Sequence, residues 1–162
     1  MRKVVLFPVP LLLAFMAMGC QPPAQEMAPI RTAEQIQADI EALAATWLEM
    51  ANAGDAAGVA STYTDDAVYM DPYGGIHQGR GAIQEYFRQS LSRSTNWLAP
   101  MDGTVIQGDM VAGYGTWSAT PIMPEGAAPI GGRWQNAAAY QPDGSLKMRL
   151  QLAMLPAPMP EM

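Results

Sequence analysis

Asp71 is the residue whose type and position lend themselves most directly to chemistry. It ends a short predicted strand at residues 67–71, and Pro72 follows it. A carboxylate that faces an apolar cavity has its charged form disfavoured, which raises its pKa towards neutral and makes it a usable general base. A structural role also fits, with the carboxylate accepting backbone hydrogen bonds in a turn at residues 72–75. Asp71 is therefore a candidate general base with two roles open.

Aromatic side chains are the second notable group. They suit the lining of a pocket for a flat hydrophobic ligand, although core packing alone also accounts for them. The predicted pocket residues are Tyr69, Phe87, Trp97, Trp117, Trp134 and Tyr140.

Other kinds of site find little support in the composition. The chain has one histidine, His77, in a glycine-rich connection that predicts exposure, and one cysteine, Cys20. No metal-ligand cluster and no Ser-His-Asp or Cys-His pair is therefore predicted, and no cofactor is implied. Without the first 19 residues, seven basic and fifteen acidic residues give a formal charge of −8. That balance argues against nucleic acid as a partner.

A long first helix must position the apolar surface of any pocket. Thr32 and Gln35 have the spacing of a capping box, which predicts a helix start at Thr32. Apolar residues then recur at spacings of three and four, so they share one helical face over residues 32–53. These residues are Ile36, Ile40, Leu43, Trp47 and Met50.

Shorter elements follow, and the pattern changes from helices to strands. Gly54 can adopt the left-handed conformation that ends the first helix, and Asp55 is expected to cap a second helix to about residue 63. Helices followed by antiparallel strands predict an α+β domain over residues 32–155, with helices packed on one face of a curved sheet. The remaining predicted elements are a turn at 64–66, a helix ending near residue 91, and strands at 97–106, 110–120, 133–141 and 146–155.

The N-terminal residues have the pattern of an export signal. Arg2 and Lys3 precede an apolar run that is too short and too rich in proline for a membrane span, so residues 1–19 are interpreted as a signal peptide. An ordinary secretory signal with a stray thiol is the alternative to a lipoprotein signal. Residues 20–31 carry three prolines and read as a linker, and residues 156–162 as a disordered tail.

The segment around Cys20 resembles the cleavage box of bacterial lipoproteins, in which the cysteine is lipidated and becomes the new N-terminus. Gln21 in the next position implies the outer membrane, on its periplasmic face. Since the mature chain is acidic, membrane attachment would depend on the acyl chains of Cys20 alone.

Five short segments of the domain resemble the nuclear transport factor 2-like superfamily, which includes ketosteroid isomerases, SnoaL-like polyketide cyclases and an uncharacterised branch. The likeness covers residues 32–155. It implies a cone-shaped domain whose bent antiparallel sheet wraps the long helix around an apolar cavity. Homodimers through the outer face of the sheet are common in the superfamily, and a lipid-tethered monomer fits this chain equally well. The segments are residues 51–55, 63–67, 71–72, 79–83 and 143–144.

The resemblance also implies roles for individual residues. Asp71 matches the isomerase general base, and Trp47 and Asn136 fall where the isomerases place a tyrosine and an aspartic acid that stabilise an oxyanion. Phe87 replaces a supporting tyrosine. Trp47 and Asn136 each offer one neutral donor, but the hydroxyl network is missing, which argues against steroid isomerisation by the family mechanism.

Three hypotheses for function follow. The first is an exported lipoprotein domain whose apolar pocket binds a small organic molecule, without an assignable reaction. The second is a cofactor-free isomerase or cyclase that uses Asp71 as the base and Trp47 and Asn136 as oxyanion donors. The third is a non-catalytic envelope interaction module with a filled cavity.

Overall fold

The computed structural model describes residues 31–108 and 110–156. The predicted signal peptide, Cys20, the linker before Arg31 and the tail after residue 156 lie outside the described residues. Within the described part, no helix has the length and apolar character needed to cross a membrane.

Residues 31–108 and 110–156 form an α+β domain, which confirms the predicted class. The helices are α1 (Ala33–Asn52), α2 (Ala56–Ser61) and α3 (Arg80–Leu91). The strands are β1 (Tyr63–Met70), β2 (Ile76–Gln78), β3 (Ser94–Leu98), β4 (Met101–Gln107), β5 (Met110–Pro121), β6 (Ile130–Tyr140) and β7 (Leu146–Met154).

The predicted start and end of the first helix are confirmed. The Thr32 hydroxyl accepts a hydrogen bond from the Gln35 backbone, and the Gln35 side chain accepts one from the Thr32 backbone, completing the capping box. Gly54 has φ of 72°, a conformation that a glycine adopts without strain. The Asp55 side chain accepts from Gly58 N at 2.8 Å and caps α2.

The sheet is curved and mixed, which corrects the prediction of an antiparallel sheet. Its strand order is β2-β1-β7-β6-β5-β3, and β4 also pairs with β5. The pairing of β1 with β7 is parallel and the others are antiparallel. The first and last long strands are joined through the whole intervening chain, so no local hairpin sets their relative direction.

Two predicted boundaries were wrong. Residues 64–66 were predicted as a turn but belong to β1, where a register shift between Tyr63 and Val68 accommodates these polar residues in the ladder with β7. The predicted strand at residues 97–106 is two strands separated at Pro100. The Pro100 carbonyl accepts Thr116 N at 3.2 Å, while its ring nitrogen cannot donate to a ladder.

The buried face of α1 matches the predicted apolar stripe. Ile36 and Ile40 pack against Val111 of β5 in one cluster, while Trp47 belongs to a second cluster with Phe87 of α3. The long helix therefore holds two parts of the core, and the second part surrounds the cavity described below.

The sheet face turned away from the helices carries an apolar row. Val105 lies opposite Ala112, Ala112 opposite Ala137, and Ala137 opposite Leu150, so the row crosses four strands. Val105 and Leu150 are exposed. The homodimer implied by the family resemblance would use this face, and it stays a prediction.

Candidate functional site

A cavity of about 80 Å³ lies between α1, α3 and the inner face of the sheet. Its lining comes from all three layers, with Leu43 and Ala44 from α1, Tyr86 from α3, and Met148 and Ala153 from β7. None of the lining side chains carries a formal charge. An unpaired charge placed in this cavity would lose its hydration without compensation.

All four tryptophans of the chain line this cavity. Trp97 stacks on Trp117 with ring centroids 6.2 Å apart, and Trp47 meets Trp97 edge-on at 6.0 Å. The Trp134 indole donates to the Thr116 carbonyl at 2.8 Å, which fixes its ring. Three strands and one helix thus position a rigid aromatic wall.

The six predicted pocket aromatics separate into two groups. Tyr69, Trp97, Trp117 and Trp134 line the cavity, whereas Phe87 and Tyr140 do not. The side chains predicted as donors, those of Trp47 and Asn136, also line it.

Phe87 and Tyr140 are corrected for different reasons. Phe87 lies behind the wall, 1% exposed and edge-on to Trp47 at 5.6 Å between ring centroids. Tyr140 follows Asn136 by four residues along β6, a distance of about 13 Å, and so lies beside the start of α1. There its hydroxyl donates to Asp39 at 2.7 Å, and the Arg31 guanidinium stacks on its ring at 3.7 Å.

Asn136 provides one of two buried amides in the cavity wall. It is 8% exposed, and its Oδ1 accepts a hydrogen bond from Gly113 N at 2.9 Å. Its Nδ2 lies 3.6 Å from Met148 Sδ, a weak acceptor. The backbone bond fixes which end of the amide is the donor, so Asn136 keeps N–H capacity for a ligand.

Gln151 provides the second amide, and sequence reasoning missed it. Strict alternation along β7 would bury Leu150 and Leu152 and expose Gln151. A register shift opposite residues 137–138 leaves Arg149 as an extra residue, because Ala137 pairs with Leu150 and Ala138 with Met148. The bulge turns Gln151 inward, where it lines the cavity and is 9% exposed. A bulge gives no clear signal in the sequence.

Trp47 was predicted to donate directly to a ligand, but its indole nitrogen donates to the Tyr63 hydroxyl at 3.2 Å. The Tyr63 hydroxyl in turn donates to Gln151 Oε1. Burial raises the pKa of Tyr63 well above its usual value, so the phenol stays protonated. The donor capacity of Trp47 is consumed inside the protein.

Asp71 is held by the turn that follows β1. Its Oδ1 accepts Tyr73 N at 2.8 Å and Gly75 N at 3.0 Å, and its Oδ2 lies 2.9 Å from His77 Nε2. Tyr69 and Tyr73 on either side line the cavity, whereas Asp71 does not. Asp71 therefore has the structural role that was the alternative to a general base, with its carboxylate accepting backbone hydrogen bonds in the turn.

The expected increase in the basicity of Asp71 is wrong. Burial raises the pKa of this carboxyl, but the hydrogen bond from His77 and those from Gly75 and Tyr73 together outweigh burial, so its pKa lies below the usual range. His77, predicted to be exposed, is half-buried, with its ring 4.5 Å from the Tyr86 ring centroid. Asp71 and His77 thus form a hydrogen-bonded pair, called the clamp below, beside the cavity.

Comparison with known proteins places the chain in a family. Residues 44–141, more than half of the chain, match the SnoaL-like domain. The chain belongs to the SnoaL-like domain family. Among curated proteins, none matches this SnoaL-like domain protein significantly.

Solved structures share the fold of this SnoaL-like domain. A ketosteroid isomerase-like protein from Erwinia carotovora atroseptica has a TM-score of 0.67 at 21% identity, covering 75% of this chain and 96% of its own. A Mycobacterium tuberculosis protein of unknown function has a TM-score of 0.68 at 21% identity, with coverages of 76% and 78%. A nuclear transport factor 2-like superfamily protein from Salmonella enterica has a TM-score of 0.67 at 13% identity, with coverages of 79% and 96%. At these identities the likeness shows the fold alone.

Metal ligation finds no support in the described part of this SnoaL-like domain. Across residues 31–108 and 110–156, no three His, Cys, Asp or Glu side chains are grouped to hold an ion. The polar chemistry available in the cavity wall is that of amides, hydroxyls and indoles.

Because of the clamp formed by Asp71 and His77, we expect the stability of the SnoaL-like domain to depend on pH. Because the folded pKa of Asp71 is depressed, its stabilisation is complete above the unfolded pKa and is lost as pH falls through the folded pKa. Asp71→Asn keeps an oxygen for Tyr73 N and Gly75 N but loses the charge-assisted bond to His77. We expect a cost of about 1.5 kcal/mol at pH 7, shrinking by pH 3, measured by urea unfolding.

Asp102→Asn is the control, since Asp102 is exposed and the same substitution there should change stability by less than about 0.5 kcal/mol. A cost for Asp71→Asn that is the same at pH 3 and pH 7 would contradict the clamp.

Proposed function

We propose that this SnoaL-like domain binds a small, uncharged, mostly apolar molecule in the cavity beneath α1. The observation that carries the proposal is the cavity wall itself, with four tryptophans, two inward amides and no formal charge. Such a lining is typical of sites that bury the apolar surface of a ligand and orient it with a few polar groups.

The cavity encloses less space than one whole ring needs, so a one-ring ligand would lie partly inside it and partly at its open side. An apolar cavity of roughly 150 Å³ holds one benzene molecule, and the volume here is about 80 Å³. Tyr73 and Ile130 line the cavity and are themselves exposed, so a ligand has a way in and can extend outward at that side. A ring with a short substituent fits these dimensions better than a steroid.

Proton transfer by Asp71 has less support than binding. A general base must come within hydrogen-bonding reach of the proton it removes, and Asp71 lies outside the cavity lining. Its low pKa also makes it a weak base near neutral pH. An interaction module with a filled cavity is disfavoured by the open space beside Trp47 and Trp134.

Export and lipid anchoring at Cys20 are part of the proposal. They are supported by the charged start at Arg2 and Lys3, the apolar run that follows and the small residues before the cysteine.

The test uses a cavity-filling substitution on α1. Ala44 lines the cavity, and its neighbour Ala45 is exposed on the same helix. Ala44→Leu should weaken binding of ethylbenzene at least tenfold because the added carbons occupy the ligand space, whereas Ala45→Leu should bind as the wild type does. Tryptophan fluorescence measures binding directly, since every tryptophan of the chain lines the cavity.

Native mass spectrometry of the mature protein from its own envelope supplies a second test. A retained small molecule in the wild type and in Ala45→Leu, but not in Ala44→Leu, would identify the natural ligand class. Equal ethylbenzene affinities for the wild type, Ala44→Leu and Ala45→Leu would place binding outside the cavity and overturn the proposal.

A further inference from the structure

The amide of Gln151 has its orientation set by a short chain of hydrogen bonds. The Trp47 indole can only donate, so the Tyr63 oxygen accepts from it at 3.2 Å. The single hydrogen of the Tyr63 hydroxyl then goes to Gln151 Oε1. With its oxygen occupied in this way, Gln151 keeps Nε2 as its remaining polar atom, and that atom can only donate.

Three side-chain N–H donors that lack a strong hydrogen-bond acceptor lie in the cavity wall. Gln151 Nε2 has no hydrogen-bond partner among residues 31–108 and 110–156. Asn136 lies opposite Gln151 in the pairing of β6 with β7. The nearest acceptor for Asn136 Nδ2 is the weakly accepting Met148 sulfur. Trp97 also lines the cavity, and its indole nitrogen is buried without a partner within the described residues. Of these donors, the Trp97 indole nitrogen is the fully buried one, and a buried donor without a partner is destabilising until an acceptor meets it.

From this arrangement we infer that Gln151 is the donor that orients the ligand, and that the site selects a neutral carbonyl oxygen. This inference rests on the proposed function. A carbonyl oxygen has two lone pairs, and the neighbouring amides of Asn136 and Gln151 can supply one N–H each. A carboxylate is disfavoured because no cationic side chain lines the cavity.

Trp47 is a positioning residue in this scheme. It acts through Tyr63, which prevents the Gln151 amide from turning its oxygen towards the ligand. The role differs from the direct donation predicted from the sequence, although the residue is the same.

The test compares acetophenone with ethylbenzene, which share a carbon skeleton and differ in the carbonyl. The wild-type mature chain should bind acetophenone about tenfold more tightly, the value of one well-made hydrogen bond. Gln151→Met keeps the length of the side chain and removes its donor, so the preference for acetophenone should fall to about threefold, the part that the Asn136 amide still supplies. Gln135→Met is the matched control, because Gln135 is exposed on the opposite face of β6 and should keep the preference.

A measurement on the wild-type protein covers the case in which Gln151→Met fails to fold. In ¹⁵N-labelled protein, acetophenone should shift the side-chain amide signals of Gln151 and Asn136, and ethylbenzene should leave them nearly unchanged. Equal affinity of the wild type for both probes would overturn the carbonyl inference and leave the proposed function intact. A preference in Gln151→Met as large as that of the wild type would remove the role of Gln151. Binding of neither probe would overturn the proposed function as well.

Discussion

Phe87→Ala is expected to lower the free energy of unfolding by about 3–5 kcal/mol. Phe87 is 1% exposed and touches four aromatic rings of the core, so truncation leaves a void that its neighbours cannot fill by small movements. The neighbours, with their centroid distances, are Trp47 at 5.6 Å, Tyr63 at 6.4 Å, Tyr69 at 5.1 Å and Tyr86 at 5.1 Å. Chemical denaturation at fixed pH measures the change.

Tyr73→Ala provides the comparison for this truncation. Tyr73 is 72% exposed, so removing its ring should change stability by less than about 0.5 kcal/mol. A loss for Phe87→Ala below about 1 kcal/mol would show that the ring is not the core residue described here.

Gly115→Ala is the second large effect, with an expected loss of about 3 kcal/mol. A Cβ atom at Gly115 would overlap the Pro100 carbonyl oxygen and lie 3.0 Å from two ring atoms of Trp134. The carbonyl cannot turn away freely, because it accepts the hydrogen bond from Thr116 N that joins the start of β4 to β5. The substitution therefore disturbs the ladder and the cavity wall together.

The same substitution at Gly81 should act in the opposite direction. Gly81 lies in α3 with no heavy atom within 4 Å of an added Cβ and without a positive φ. Gly81→Ala should stabilise the domain by about 0.4–1 kcal/mol through lower freedom of the unfolded chain. Thermal unfolding of both variants distinguishes a steric effect from a general effect of losing glycine. Equal effects at the two positions would contradict the steric account.

Local signals predicted the helical half of the domain well. The capping box at Thr32, the turn at Gly54 and the cap at Asp55 each depend on hydrogen bonds between residues at most five positions apart. The apolar stripe that buries Trp47 follows from helical periodicity alone. These features could be read from the chain because the interacting groups are neighbours in it.

The candidate site was predicted less completely, and the errors have physical causes. Asp71 was recognised as a carboxylate at a strand end, but whether it faces the cavity depends on His77 and on the turn backbone. Gln151 was missed because a bulge at Arg149 reverses which side chains of β7 point inward. Tyr140 shares a strand face with Asn136, yet distance along the strand takes it out of the cavity.

The amino-acid sequence by itself determined the helices, their caps and most strand positions, because those depend on short-range periodicity and spacing, and its resemblance to the nuclear transport factor 2-like superfamily implied the fold. Only the tertiary structure decided that β1 runs parallel to β7, that Asp71 serves the turn and that Gln151 joins Asn136 in the wall. Those outcomes depend on contacts between residues far apart in the chain, such as Tyr63 with Gln151. Their free energies are settled by packing and register, which no local pattern encodes.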